Sequence, residues 1–173
     1  GFIVYNERTY PGFVGLLGEL GVETKDSEMS FGVSDEHTGL EWRGSSLSTL
    51  LAQRRNVANP AFQRMLVDVV RFNRAARLIA AEGTDRDLTL GEFLARRSWS
   101  RGFLDWYLLP MGSAIWSAAP KAFAEMPMLT FARFFDNHGL LRVGEQLQWR
   151  TIVGGAARYV DALLRPMRDR LQV

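Results

Sequence analysis

The chain predicts an α+β fold in which helices dominate and a short β hairpin sits near the start. Three observations carry that expectation. Met29, Phe31 and Val33 alternate with polar neighbours over residues 28–34, and Leu40-Glu41-Trp42-Arg43 follows the turn residues Glu36-His37-Thr38-Gly39, the pattern of a hairpin. From Asn59 to Gly83 the apolar residues recur instead at helical spacing. Between residues 89 and 139, caps and prolines return at short intervals and divide the stretch into short helices with tight turns.

Each element follows from local chemistry. Residues 2–5 predict a short strand or extended entry. Residues 10–20 predict a helix with Pro11 in its first turn, where no backbone N–H is needed, and with Phe13, Leu16, Leu17 and Leu20 on one face. Gly12, Gly15, Gly18 and Gly21 recur every third residue. That spacing is not the G-x-G-x-x-G of a dinucleotide site; it predicts a bare stripe for close packing, with Gly21 as C-cap. Gly44-Ser45-Ser46 reads as a loop, and residues 47–58 as a short helix plus a loop.

The long helix opens on Asn59-Pro60, a cap followed by Pro at the first turn. Phe62, Met65, Leu66, Val69, Ala76 and Ile79 form its apolar stripe, with Gln63, Arg64, Asp68, Arg71, Arg74 and Arg77 mostly away from it. Thr89-Leu90-Gly91-Glu92 is a capping box with Leu88 and Phe93 as its staple, opening a helix to about Arg97. Ser100 caps the next helix, which Pro110 should end, and Met111 to Ser117 add another turn or two. Pro120 opens a further helix. Pro127 starts one more, carrying Met128, Leu129, Phe131, Phe134 and Phe135 to a stop at His138-Gly139. After a loop over 140–148, residues 149–153 predict a short strand or extended segment. Gly154-Gly155 then lead into a last helix with Val160, Leu163, Leu164, Met167 and Leu171 on one face and a kink at Pro166.

Composition bounds the function. At 173 residues, 47% apolar and 23% charged, the chain suits one domain, or one domain and part of another, and it can bury a real core. Five Trp and eleven Phe suit a large core or a ligand cavity. Net charge is +2 and the cations are dispersed, with Lys only at Lys25 and Lys121. The four arginines of the long helix lack Lys-rich company or stacking aromatics, so a solvated face is expected and no nucleic-acid partner. With no cysteine there is no disulfide, thiolate metal site or Cys nucleophile. Two histidines and no G-x-S-x-G leave a Ser/His hydrolase little to work with, and neither H-E-x-x-H nor a Walker motif occurs. No apolar run approaches a membrane span, and a cytoplasmic location is the expectation.

Three segments hold candidate function. Gly1 to Pro11 sets two Tyr, an Asn, a Glu and an Arg beside an apolar strand. Phe134-Phe135-Asp136-Asn137-His138-Gly139 puts two aromatics before a polar cluster, where a capped helix end is the plainer reading. Trp149-Arg150-Thr151-Ile152-Val153-Gly154-Gly155 offers backbone N–H groups at a helix start, where a simple tight turn is the plainer reading.

Gly1 to Pro11, followed by Leu16-Leu17-Gly18-Glu19-Leu20-Gly21-Val22, resembles a stretch in flavin-containing amine oxidoreductases. Leu109-Pro110-Met111-Gly112-Ser113-Ala114-Ile115-Trp116-Ser117 and the second and third segments resemble a bacterial branch of that family, predicted NAD/FAD-binding proteins. The resemblance implies FAD as cofactor of a longer parent, with its G-x-G-x-x-G unit and a second FAD-contacting segment outside this chain. Residues 1–173 would then be the inserted substrate-binding domain, with 1–11 and 149–173 as junctions to the FAD-binding domain. Gly1, Phe2, Trp149, Gly154 and Gly155 would lie near the flavin, and Tyr5, Met111, Trp116, Phe134 and His138 would wall the substrate. For Trp116 and Phe134, ordinary core packing is the alternative. The expectation is an excised part that binds no FAD, is inactive alone, takes a small-molecule substrate in its parent, and self-associates through apolar surface left uncovered. The rival reading is a stand-alone helical module for a protein or lipid ligand.

Overall fold

The structure, a computed structural model, describes residues 4–44, 53–84, 86–117, 120–142 and 147–170. It is α+β and mainly helical. In chain order the elements are α1 (Pro11–Glu19), β1 (Thr24–Ser27), β2 (Gly32–Asp35), β3 (Leu40–Arg43), a 3₁₀ turn (Arg54–Ala58) and α2 (Pro60–Glu82). There follow α3 (Leu90–Ala95), α4 (Arg101–Phe103), a π-helical turn (Leu104–Leu108), α5 (Leu109–Trp116), α6 (Pro120–Ala124) and α7 (Met128–Asn137). The chain closes with β4 (Trp149–Ile152), α8 (Ala157–Leu164) and a second 3₁₀ stretch (Arg165–Arg170).

The chain forms two compact units. One takes both ends, residues 1–29 and 146–173; the other is the continuous stretch 30–145. In the two-segment unit, β1 pairs antiparallel with β4, from Thr24↔Ile152 to Ser27↔Trp149. Tyr5 exchanges two backbone bonds with Arg150 (3.0 and 2.8 Å), so the expected strand over 2–5 amounts to one bridge at Tyr5, and residues 1–3 lie outside the described residues. The Arg150 guanidinium donates to Asp26 (2.7 Å) and Thr24 (3.0 Å), tying β4 to β1 through side chains as well. β1 itself escaped the sequence reading, because Thr-Lys-Asp-Ser carries no apolar alternation.

Pro11 opens α1 as expected, and Gly21 closes it in the left-handed region (φ +63°), with the Val22 N–H returning to the Leu17 carbonyl. Only Leu17 of the expected face is fully buried; Phe13, Leu16 and Leu20 are half-buried. Among the described residues, no packing partner from outside the helix backbone lies within 4 Å of where Gly12, Gly15 or Gly18 would carry a Cβ. The small core here is Tyr5, Leu17 and Ile152, with Phe13, Val14, Val22 and Tyr159 around it. α8 buries none of its residues, so Val160 and Leu163 stay exposed and Leu164 half-covered. The α-helix gives way to a 3₁₀ stretch at Arg165, next to Pro166, and Leu171 lies outside the described residues.

The larger unit is built on α2. Asn59 Oδ1 accepts from the backbone N–H groups of Ala61 and Phe62, Pro60 takes the first turn, and Gly83 ends the helix at φ +66°. Phe62, Met65, Phe72, Ala76 and Ile79 are buried against α7 and α4. Asp68, expected away from the stripe, is fully buried as well. The hairpin β2–β3 forms with Asp35 opposite Leu40, but β2 begins at Gly32 rather than near residue 28, and Met29 is exposed. The capping box is complete: Thr89 Oγ1 accepts from Glu92 N, and Glu92 Oε2 accepts from Thr89 N. Its helix stops at Ala95.

Pro110 does not end a helix. From Ser100, whose Oγ accepts from Phe103 N, the chain winds continuously to Trp116 through the π turn. The reason is local. Pro110 has no N–H to offer the Trp106 carbonyl, its partner four residues back. That carbonyl instead accepts from the Trp42 indole at 3.0 Å, while Leu109 N–H reaches five residues back to Leu104. The Trp106 indole in turn donates to Asp35 Oδ2 at 2.9 Å, so two indole bonds hold the hairpin to the π turn.

Candidate functional site

The heptapeptide spacing of α7 places Phe131, Phe134, Phe135 and His138 on one helix face. Phe131 and Phe135 are sealed in the core, whereas Phe134 and His138 are half-buried. Trp116, half-buried at the end of α5, lies against all three phenylalanine rings, at 5.9, 4.8 and 5.8 Å from Phe131, Phe134 and Phe135. The His138 imidazole stacks on Phe134 at 4.0 Å with 22° between planes. Its Nδ1 sits 2.7 Å from the Phe134 carbonyl. A carbonyl only accepts, so Nδ1 is the donor in this contact.

Thus Trp116, Phe134 and His138 adjoin one another in a row of ring contacts that forms a shelf. Met111 is buried in the core of the same unit. Beside it, a Cβ on Gly112 would fall 2.3 Å from the Phe123 ring, whose other neighbours include Trp116 at 5.7 Å. Buried Phe123 and Phe135 also pack against Trp116; Phe135 lies within the second candidate segment, whereas Phe123, the lone aromatic of α6, carried no local signal.

In the two-segment unit, Tyr5 is nearly fully buried and meets Phe13 edge to face at 5.2 Å; Phe13 meets Tyr159 in the same way at 5.3 Å. Val4, Tyr5, Tyr10, Phe13 and Tyr159 line a cavity of about 280 Å³. Tyr159 carries no local mark of this, since its partners lie at the other end of the chain. Trp149 is buried on β4. Gly154 and Gly155 are exposed and left-handed (φ +81° and +87°). The Gly155 N–H is not available to an anion, because it donates to the Ile152 carbonyl at 3.1 Å; the turn is closed on itself. Gly1 and Phe2 lie outside the described residues.

The perturbed ionisable groups serve structure. Burial pushes the Asp68 carboxyl up, but the Ser100 backbone and side chain, Arg71 (2.6 Å) and the charge of Arg64 outweigh it, and the net pKa lies below the usual range. Asp35 is lowered by the Thr38 hydroxyl, with help from the His37 N–H and the Trp106 indole. Glu92 is lowered by the Thr89 N–H and hydroxyl of its capping box. Burial pushes the Tyr107 phenol up to about 12, against a bond from Asn73. All four are locked in their ordinary charge state at neutral pH, and what the shelf offers is aromatic ring surface.

Among the described residues there is no group of three or more His, Asp or Glu that could hold a metal ion, and no helix is long and apolar enough to cross a membrane. No protein-family profile matches the chain, and no curated protein is significantly similar to it.

Proposed function

We propose that this chain is the substrate-binding part of an FAD-dependent, amine oxidase-like oxidoreductase, inactive in isolation. The observation that best supports this reading is the path of the chain. A helical unit of residues 30–145 is inserted between two segments that pair with each other as β1 and β4. An inserted domain on a sheet belonging to a cofactor domain has that topology. A two-stranded sheet is marginal by itself, and α8 leaves Val160, Leu163 and, beyond it, Met167 exposed beside exposed Val153. That surface suits a larger sheet-and-helix body, and it is where the chain alone self-associates.

FAD, when bound, would accept a hydride from a carbon next to nitrogen in the substrate. At the Gly154-Gly155 turn only the Gly155 side is open among the described residues, since a Cβ on Gly154 would fall 2.9 Å from Arg158 Nε. Trp116 and Phe134 would bind and orient an apolar part of the substrate, with the His138 ring stacked on Phe134 beside them. Expression of the whole open reading frame tests the proposal. The expected product is yellow, releases FAD on denaturation and is bleached by an amine substrate, while residues 1–173 alone are colourless. A whole-frame protein that neither contains nor takes up FAD would overturn it.

A further inference from the structure

The outward face of α2 is unlike the other exposed helix surfaces. Val67, Val70 and Leu78 stand 52%, 58% and 53% exposed, and Ala81 continues the same stripe. Large apolar side chains at i, i+3 and i+11 on the solvent side of an otherwise well-packed helix form a contiguous ridge. From Val67 to Ala81 it runs about 21 Å, at 1.5 Å per residue. Arg74 sits in its middle, and Arg64, Arg71 and Arg77 flank it. The helix carries no exposed acid until Glu82; its only other carboxylate, Asp68, is buried against Ser100 and pairs with Arg64 and Arg71. The face therefore combines apolar contact with the positive charge of Arg74 and Arg77.

That charge selects the occupant. A second copy is disfavoured: any twofold pairing of α2 with itself, centred on the stripe, sets Arg74 against Arg74, and like charges across an interface oppose association. A lipid surface fits less well, because a membrane-seeking face keeps its cations at the margins and its centre apolar, and here an arginine interrupts the centre. A helix with carboxylates set among apolar side chains meets both requirements: its methyls cover Val67, Val70 and Leu78, and a carboxylate takes the planar fork of Arg74. We infer that the outer face of α2 is a docking site for an acidic amphipathic helix of another protein. This goes beyond the substrate-binding reading and does not depend on it.

The probes are two synthetic four-turn amphipathic peptides with the same leucine face, one with glutamates and one with lysines, and vesicles of phosphatidylcholine with phosphatidylglycerol. Binding is read by fluorescence anisotropy and mapped by backbone amide shifts. The glutamate peptide is expected to bind at least about tenfold more tightly than the lysine peptide, a difference of roughly 1.4 kcal/mol, with shifts centred on α2. Arg74→Glu should reverse that preference, and Val70→Ser should weaken the glutamate peptide several-fold. Both positions face solvent, so the fold survives either change, and circular dichroism checks this. No preference between peptides, equal binding by Arg74→Glu, shifts elsewhere on the protein, or binding to the vesicles alone would each overturn the assignment.

Discussion

Asp68 shows how a single side chain governs its surroundings. Its two oxygens hold the Ser100 N–H at 2.9 Å and Arg71 at 2.6 Å, and Arg71 lies over the Trp99 ring. Replacing Asp68 by Ala strands the Ser100 N–H and is expected to cost about 2–3 kcal/mol of stability, read by denaturant titration. Because its native pKa is depressed, the contribution is present above the unfolded value of about 4 and is lost as pH falls through the native one. Wild-type stability should thus decline more steeply below about pH 4 than that of Asp68→Asn. The heptad pattern put this residue outside the core because its main partner is 32 positions away, beyond any local window. Trp42 is a similar case: its burial was legible, its bond to the Trp106 carbonyl was not. Trp42→Phe keeps the ring packing and removes the donor, so it should cost about 1 kcal/mol in the same titration.

Elements were legible where the backbone itself announces them. Asn59-Pro60, the Thr89–Glu92 box and the hairpin all form because a cap or a turn acts within a few residues. Pro110 misled for the same reason: a local rule says stop, and a distant indole makes continuation affordable. The glycines divide along this line. Gly112 is needed, since a Cβ there would strike the Phe123 ring at 2.3 Å; Gly112→Ala should destabilise by about 1–3 kcal/mol and disturb the shelf at Trp116. Gly15 faces open space on α1, so Gly15→Ala should stabilise by up to about 1 kcal/mol. Thermal melts of the two variants move in opposite directions if the glycine stripe is indeed without a packing role. The shelf was half legible: α7 announced its own face, while the approach of Trp116 joins two different helices and no local pattern reports it.

For the whole chain, the division at residues 29–30 and 145–146 was not legible, because β1 looks like a loop and its partner is more than a hundred positions away. The larger unit contains its own helices and aromatic core, so a chain ending at Glu145 should retain them while residues 1–29 lose protection from hydrogen exchange. Full protection of both would show that β4 is dispensable. The pairing of Thr24 with Ile152 and of Ser27 with Trp149 also imposes a timetable. A ribosome delivers β1 well before β4, so β1 has no partner until more than a hundred further residues have left the exit tunnel. Meanwhile Tyr5, Phe13 and Leu17 wait uncovered, open to chaperones and to neighbouring nascent chains. Slow translation through the helical stretch lengthens that wait, so codon usage between the two halves of this small sheet bears directly on yield.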